Sequence, residues 1–199
     1  MKPQDIVKSI INSSLAEVSR EEGFKKTNYN FIRRKGSTVQ VINIQLSRWN
    51  RGIEASFYVN VSLAFDELRK FEDRAIEESP KYYACDFYHR LEHFVPDAPP
   101  KWNVVLGMNI DSMAEILKDK IIVLVNKLNG IESLQDFLVI ALNEDWFAFP
   151  GEYDLLARLQ DSLGNTEKAE EARAFYQEFL QLRDTMSRED LIKHFGVEF

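Results

Sequence analysis

The chain of 199 residues is long enough for one large domain, or for a domain with a helical extension. Its formal net charge of −7 argues against general binding to nucleic acid, which needs a surplus of positive charge. No apolar run approaches the roughly 18 residues that suggest a membrane span, the N-terminus lacks the apolar core of a signal peptide, and the single cysteine, Cys85, cannot form an internal disulfide. These features predict a cytoplasmic protein without membrane contact.

Residues 1–145 are predicted to form an α+β domain, in which an antiparallel sheet of about four to five strands packs against helices. Residues 4–22 carry apolar side chains at helical spacing, which predicts an amphipathic helix with one buried stripe. From residue 23 to residue 62 the apolar residues alternate instead, which predicts a three-strand antiparallel meander with one face on the core. A further strand is expected near residues 85–94.

The chain after Gly107 is predicted to be helical, because its apolar residues recur every three to four positions. Ser112 and Ser133 both match the pattern of a helix N-cap. Residues 152–184 predict a helical hairpin with a Gly-Asn turn, which resembles one tetratricopeptide unit in its leucine-rich first helix and the small residues of its second. We expect residues 146–199 to pack on the same domain as a helical extension.

The letters H-R-L-E-H, from His89 to His93, fit the inverted zinc-protease motif H-x-x-E-H, with Glu92 as the general base. A zinc site of this kind needs both histidines on one face of a helix. Residues 87–94 alternate like a strand and are followed by Pro96, so the histidines are expected about 13 Å apart, at about 3.3 Å per residue. The acidic residues at a suitable separation for a third ligand fall in the predicted hairpin, where charge is ordinarily solvated: Glu167, Glu170 and Glu171. We therefore expect no metal here, and a zinc hydrolase is a remote alternative.

The basic residues are unevenly distributed along the chain. Between Gly23 and Ile53 there are seven basic residues and no acidic one: Lys25, Lys26, Arg33, Arg34, Lys35, Arg48 and Arg51. The favoured interpretation is that these residues protect edge strands against aggregation; the alternative is a binding surface. If the segment is a binding surface, Arg48 and Arg51 are expected to be exposed and not paired with acids of the C-terminal half.

Several stretches resemble a bacterial family known as domain of unknown function 4304: "GFKKTNYNFIRR", "VQVINIQLSRWN" and "FYVNVSL". The later "HRLEHFVPDAPPKWNV" is similar to an Arg-Leu strand of that family followed by a tryptophan, which places Arg90 and Trp102 in the family pattern. The resemblance covers roughly residues 1 to 145 and is most specific from Gln45 to Asn50. It implies an α+β domain in a bacterial cytosolic protein, with no established activity. Small acidic domains of this sort are associated by analogy with toxin systems, as immunity-type inhibitors.

The first functional hypothesis is a non-enzymatic module that binds another protein. No catalytic constellation or phosphate-binding loop is recognisable in the sequence, and no cofactor is predicted. Tryptophan and arginine anchor many interfaces, and the most concentrated cluster is Arg48-Trp49-Asn50-Arg51. Under this hypothesis Trp49, Trp102 and Trp146 are expected to be exposed; the alternative for Trp49, which is slightly favoured, is that it caps the core at the end of its strand.

The alternative is a small anionic-ligand-binding protein, or an enzyme, with its site on the basic sheet. In that arrangement Arg33, Gln45, Ser47 and Arg48 would face one anion together. A lesser option is single-stranded nucleic acid stacked on Tyr29, Phe31 and Trp49. The candidate binding residues are therefore Arg33, Gln45, Ser47, Arg48, Trp49, Asn50, Arg51, Arg90 and Trp102; no oligomeric state is predicted.

Overall fold

The computed structural model describes residues 3–48, 50 and 53–196, and it confirms the α+β class. The strands are β1 (Lys25–Thr27), β2 (Asn30–Lys35), β3 (Thr38–Leu46), β4 (Glu54–Phe65), β5 (Phe87–Arg90) and β6 (Trp102–Val105). The α-helices are α1 (Pro3–Glu21), α2 (Asp66–Phe71), α3 (Leu91–Phe94), α4 (Ile110–Leu128), α5 (Leu134–Asn143), α6 (Tyr153–Ser162), α7 (Thr166–Leu182) and α8 (Arg188–Phe195). Two single 3₁₀ turns lie at Tyr82–Ala84 and Pro150–Glu152.

The chain divides into two compact units. The sheet unit comprises Met1–Ala64 and Glu77–Glu132, and the helical unit comprises Phe65–Ile76 and Ser133–Phe199. The predicted packing of residues 146–199 on residues 1–145 stays a prediction.

The sheet has the order β1-β2-β3-β4-β5, with β6 also paired to β4. The register aligns Arg33 with Gln40 between β2 and β3, and Asn60 with Arg90 between β4 and β5, both pairs of strands being antiparallel. The long strand β4 pairs with β6 through its first residues and with β5 further along. The sheet therefore contains the predicted meander and the predicted strand near residues 85–94, together with two short strands at its ends.

One face of the sheet, the helix face, is covered by α1, which contacts β1 and β6, and α4 packs on α1. The predicted apolar stripe of α1 is buried along its length. On this face Gln40 donates two hydrogen bonds of 2.9 Å, to the carbonyl of Leu128, the last residue of α4, and to the carbonyl of Ile131 just beyond it. The helix predicted near Ser112 is present as α4, but its N-cap is Asn109 and not Ser112, since the Asn109 side chain accepts from the Ser112 backbone N–H.

The alternation of polar and apolar residues predicts strands with one buried and one exposed face. The structure differs, because both faces of β3 and β4 are buried. Every residue of β3 from Thr38 to Ile44 is buried, and so is nearly all of β4. The buried amide side chains of these strands are hydrogen-bonded, Asn60 to Asn43 and Gln40 to backbone carbonyls, so they avoid the free-energy cost of an unpaired polar group. The buried hydroxyls of Thr38 and Ser62, in contrast, have no hydrogen-bond partner among the described residues. Alternation of polar and apolar residues thus marks two faces here, but it does not mark which of them meets solvent.

The prediction that residues 87–94 are extended is half right. The strand β5 ends at Arg90, whose ψ of 157° is still extended, and Leu91–Phe94 then form one helical turn. Leu91 and Phe94 are both fully buried, so burial of these two side chains outweighs the local strand preference.

The helical unit contains the predicted hairpin. Helices α6 and α7 pack on each other, and their connection contains Gly164 with a φ of +76°, a backbone conformation that favours glycine. The rings of Tyr153 and Phe175 stack across the pair with centroids 4.1 Å apart. Among the residues that the structure describes, no helix combines the length and the hydropathy needed to cross a bilayer.

Candidate functional site

The face of the sheet opposite α1 and α4 carries a chain of hydrogen-bonded amide side chains, and we call it the amide face. Its amide residues are Asn30 of β2, Asn43 and Gln45 of β3, and Asn60 of β4. Asn60 Nδ2 donates to Asn43 Oδ1 at 2.8 Å, and Asn43 Nδ2 donates to Asn30 Oδ1 at 2.7 Å. Asn30 and Asn43 are direct partners in the register of β2 and β3, which places their side chains next to each other.

Arg90 of β5 occupies the end of this chain. Its Nη1 donates to Asn60 Oδ1 at 2.6 Å and to Gln45 Oε1 at 3.1 Å. The Cζ atom lies 4.3 Å from the centroid of the Tyr58 ring, a cation–π contact. Because a guanidinium can only donate, Asn60 must turn its oxygen towards Arg90, and this fixes the direction of every amide further along the chain.

Gln45 is the centre of the arrangement. Its Oε1 accepts from Arg90 Nη1, from Asn60 Nδ2 at 3.3 Å and from the Tyr82 hydroxyl at 3.4 Å. Tyr82 also packs on a small apolar cluster that occupies the remainder of this face: Ile32, Val39, Val41, Ala64 and Cys85. The amide face is thus apolar where residues 82–85 cover it and polar around Gln45 and Arg90.

The acceptors that hold Arg90 are all neutral. No acidic residue in the described part of the chain forms an ion pair with it, whereas Arg33 pairs with Glu22 at 3.3 Å and Arg34 pairs with Glu78 at 3.2 Å. Arg90 is half-buried. Its positive charge is therefore oriented and partly desolvated, but it is not neutralised within the described chain.

Four tyrosines lie on the same side of the sheet as Arg90, and Tyr58 contacts it directly. Tyr88 shares the face with Arg90, since it lies two residues earlier on β5, and it is 54% exposed. Tyr83 is 58% exposed, and its ring meets that of Tyr82 edge-on at 5.4 Å. We call Tyr58, Tyr82, Tyr83, Tyr88 and Arg90 the tyrosine–arginine surface. The stretch "KYYACDFYHR" holds four of these five residues, so its tyrosine content was the signal available in the sequence.

The structure separates Arg33 from Gln45, which the anion-site hypothesis brings together. Arg33 is paired with Gln40 in the register and lies on the helix face. It is buried there, with its Nε donating to Gln40 Oε1 at 2.8 Å and its Cζ 4.3 Å from the centroid of the Phe24 ring. Burial lowers the pKa of the Arg33 guanidinium, and the charge of Glu22 opposes that shift. The hypothesis that Arg33 contributes to a site with Gln45 is therefore wrong.

Asn50 has a structural part in the connection between β3 and β4. Its side chain accepts from the Ser56 backbone N–H at 2.7 Å and donates to the Ser56 carbonyl at 3.0 Å. The Ser47 N–H donates to the same carbonyl at 2.9 Å. Arg48 is exposed, and no acid of the described chain pairs with it, as expected of a binding surface. The predicted site residues Trp49 and Arg51 lie outside the described residues.

The expectation of exposed tryptophans is wrong at both positions that the structure describes. Trp102 is 2% exposed and stacks on Phe57 with ring centroids 5.9 Å apart. Trp146 is 1% exposed and packs beside Phe137. Phe31 is also buried, on the helix face, so it offers no ring for stacking a nucleic-acid base.

The two histidines of the H-R-L-E-H stretch lie much closer together than predicted. The helical turn after Arg90 brings the His93 ring onto the His89 ring, with centroids 3.9 Å apart and planes within 13° of parallel. Ring nitrogens in parallel stacked planes direct their lone pairs side by side and not towards a common point. Within the described ranges, no group of three or more histidine, cysteine or acidic residues has the geometry to hold a metal ion.

A separate cavity of about 410 Å³ lies in the sheet unit, between α1 and the β1–β2 connection. Its lining is basic and polar: Lys8, Ile11, Asn12, Lys26, Asn28 and Tyr29. Lys26 Nζ donates to Asn12 Oδ1 at 2.6 Å. The two lysines give this cavity the chemistry of an anion site, away from the predicted set around Gln45.

Comparison with known proteins gives one match. The model of a family described as Domain of unknown function (DUF4304) matches residues 15–129, more than half of the chain. No curated protein matches, and no solved structure matches. The matched range contains the whole amide face and the whole tyrosine–arginine surface, and it ends before α5.

Proposed function

The chain belongs to the DUF4304 family, and from this premise we propose that it is a non-enzymatic module that binds another protein through the tyrosine–arginine surface. The observation that carries the proposal is the combination, on one side of the sheet unit, of the exposed side chains of Tyr83 and Tyr88 with the oriented guanidinium of Arg90. Tyrosine and arginine are over-represented among the residues that dominate binding energy at protein interfaces. Tyrosine supplies a large contact area at a low cost in side-chain entropy.

The bacterial origin and the inhibitory role proposed next rest on the family resemblance. We propose a bacterial, cytoplasmic protein and an immunity-type role, in which the module inhibits a toxin by covering part of its surface. The α6–α7 pair is proposed to be tetratricopeptide-like, as its leucine and alanine pattern suggests. Binding through the tyrosine–arginine surface does not depend on the origin of the protein, on the inhibitory role or on the α6–α7 pair.

The test compares capture of a partner by the wild type, by Tyr83→Ala and Tyr88→Ala, and by a control. Ile116→Ala is the matched control, because Ile116 is 47% exposed and lies on α4, on the other side of the sheet. Removal of an interface anchor typically costs about 2 kcal/mol, or roughly a 30-fold loss of affinity. The dissociation constant of the purified partner should rise by that order for a tyrosine variant and stay unchanged for Ile116→Ala.

The proposal fails if both tyrosine variants bind the partner as the wild type does. Melting temperatures of all three variants separate loss of binding from loss of folding. Since Tyr83 and Tyr88 are largely exposed, their truncation should leave stability within about 0.5 kcal/mol.

A second candidate function is binding of a small anion in the cavity that Lys8 and Lys26 line. Titration of the protein with inorganic phosphate, followed by calorimetry, tests it directly. If the heat of phosphate binding disappears in Lys26→Met but persists in Arg90→Gln, the anion binds in this cavity. No heat with the wild type at millimolar phosphate would count against it.

A further inference from the structure

We infer that the partner presents an aspartate or glutamate side chain to Arg90, which acts as a preorganised carboxylate clamp. The inference rests on the proposed function and adds the chemistry of the contact. The chemistry of this contact depends on which hydrogen-bond donors of Arg90 are already used within the chain.

The donors of Arg90 divide into two groups. Both hydrogens of Nη1 are used, one towards Asn60 Oδ1 at 2.6 Å and the other towards Gln45 Oε1 at 3.1 Å. Nη2 and Nε form the opposite edge of the guanidinium, and no acceptor in the described part of the chain binds them. Two parallel donors on one edge match the two oxygens of a carboxylate in a bidentate hydrogen-bonded pair.

The charge of Arg90 makes an anion the required occupant. Half-burial removes part of the hydration of the guanidinium, and the neutral amides that replace it do not cancel its charge. The chain has 32 acidic and 25 basic residues, yet no acid of the described ranges pairs with this arginine. A carboxylate from outside the chain would supply the missing countercharge.

The amide face holds the clamp in position before binding. The side-chain carbonyl oxygens of Asn60 and Gln45 accept from Nη1. Asn43 and Asn30 extend the chain of hydrogen bonds from Asn60, so their amide dipoles are oriented in the same sense. The Tyr58 ring supports the guanidinium from one side. A side chain that is immobilised in the free protein loses less conformational entropy when it binds.

The tyrosines make a protein side chain the preferred source of the carboxylate. Tyr82, Tyr83 and Tyr88 extend the surface beyond the reach of a single small anion. Aromatic contacts around a central charged pair exclude water from it, which strengthens the pair. A partner whose carboxylate is surrounded by apolar or aromatic side chains would fit this surface.

The first experiment needs no partner. The ¹⁵N-labelled wild type is titrated at constant ionic strength with sodium propionate, with its neutral isostere propionamide, and with inorganic phosphate, while the arginine Nε–Hε signals are followed. The Arg90 signal, assigned as the one missing from Arg90→Lys, should shift with propionate and not with propionamide. The Arg33 signal is the internal control, because its Nε is bound to Gln40 and its charge is paired with Glu22.

Two outcomes of this titration overturn the inference. Equal shifts with propionate and propionamide would show that charge is not recognised. A larger response to phosphate than to propionate at equal concentration would identify Arg90 as a site for free phosphate rather than for a partner's carboxylate.

The second experiment measures the dissociation constant of the captured partner with Arg90→Gln, Arg90→Lys and Tyr88→Ala. Arg90→Gln is expected to weaken binding by at least about 30-fold. Arg90→Lys should lose most of the same affinity, since an ammonium group cannot make two parallel bonds. Neutralising one acidic residue of the partner should reproduce the loss and add nothing to Arg90→Gln.

The two proposals can fail separately. If Tyr88→Ala weakens binding and Arg90→Gln does not, the surface is an interface but the carboxylate clamp is wrong. If neither change weakens binding, the interface itself is wrong. If Arg90→Gln does not fold, the propionate titration of the wild type still decides the clamp.

Discussion

Replacing Asn60 with alanine should destabilise the protein more than any other single truncation of the amide face. Asn60 is 4% exposed, accepts from Arg90 Nη1 at 2.6 Å and donates to Asn43 Oδ1 at 2.8 Å. A hydrogen bond to a charged group contributes about 1.5–3 kcal/mol, and a buried acceptor left unpaired costs about 1–3 kcal/mol. Arg90 retains Gln45 as an acceptor, so the lower ends of both ranges apply, and we expect a loss of stability of about 2.5 kcal/mol.

Asn30→Ala is the matched control at the other end of the same chain. Asn30 is half-buried and accepts a single bond within the chain of amides, from Asn43 Nδ2. Water can replace the Asn30 side chain as the acceptor for Asn43 Nδ2, so the expected loss of stability is only about 1 kcal/mol. The double variant Asn60→Ala with Arg90→Ala should lose less stability than the sum of the two single variants. Both changes remove the same hydrogen bond between Asn60 and Arg90, so it is lost only once.

The measurement is urea unfolding of each variant, followed by circular dichroism and by tryptophan fluorescence. Two probes are needed because the chain has two compact units, and a single free energy of unfolding is meaningful only if the transitions coincide. Equal losses for Asn60→Ala and Asn30→Ala would refute the reasoning. They would show that the amide chain does not depend on its connection to Arg90.

Two further predictions concern the sheet unit. Gly36→Ala should cost more than about 2 kcal/mol in the same unfolding assay, because Gly36 has a φ of +55° and an added Cβ would overlap the Glu132 carbonyl oxygen. Gly107→Ala, at a φ of +86° with nothing within 4 Å, should cost about 1 kcal/mol from backbone strain alone; equal losses would contradict the packing of this turn. Lys118 lowers the pKa of Glu17 by a hydrogen bond and by its charge, so the pair stabilises the fold above the ordinary pKa of glutamate, and this stability is lost as pH falls through the lowered value. Lys118→Met should therefore be less stable than the wild type near neutral pH and should converge with it in acid; a constant difference across the titration would contradict this.

The elements that depend on local periodicity were predictable from the sequence. The stripe of α1, the alternation in β3 and β4, and the hairpin of α6 and α7 each arise from residues close together in the chain. Their spacing is dictated by the geometry of a helix or a strand, so a single sequence reveals them. Net charge and the absence of long apolar runs are likewise properties of the chain itself.

The functional face could not be predicted in the same way, because it depends on the strand register. Arg33 and Arg90 are the same residue type on two strands of one sheet, yet the register pairs Arg33 with Gln40 on the helix face and Arg90 with Asn60 on the amide face. Gln45 meets Arg90 across 45 positions of sequence and Tyr82 across 37. A shift of one residue in either strand pairing would move these side chains to the opposite face.

The sequence by itself determined the class of the protein, its main helices and strands, and which residues were available for binding. The tertiary structure alone decided which of these residues meet. It buried Trp102 and Trp146, turned the chain into a helix after Arg90, and left one arginine among neutral amides. The physical reason is that periodicity reflects short-range geometry, whereas burial and hydrogen-bond partners are set by contacts between residues far apart in the chain, which form only when the sheet has closed in one register.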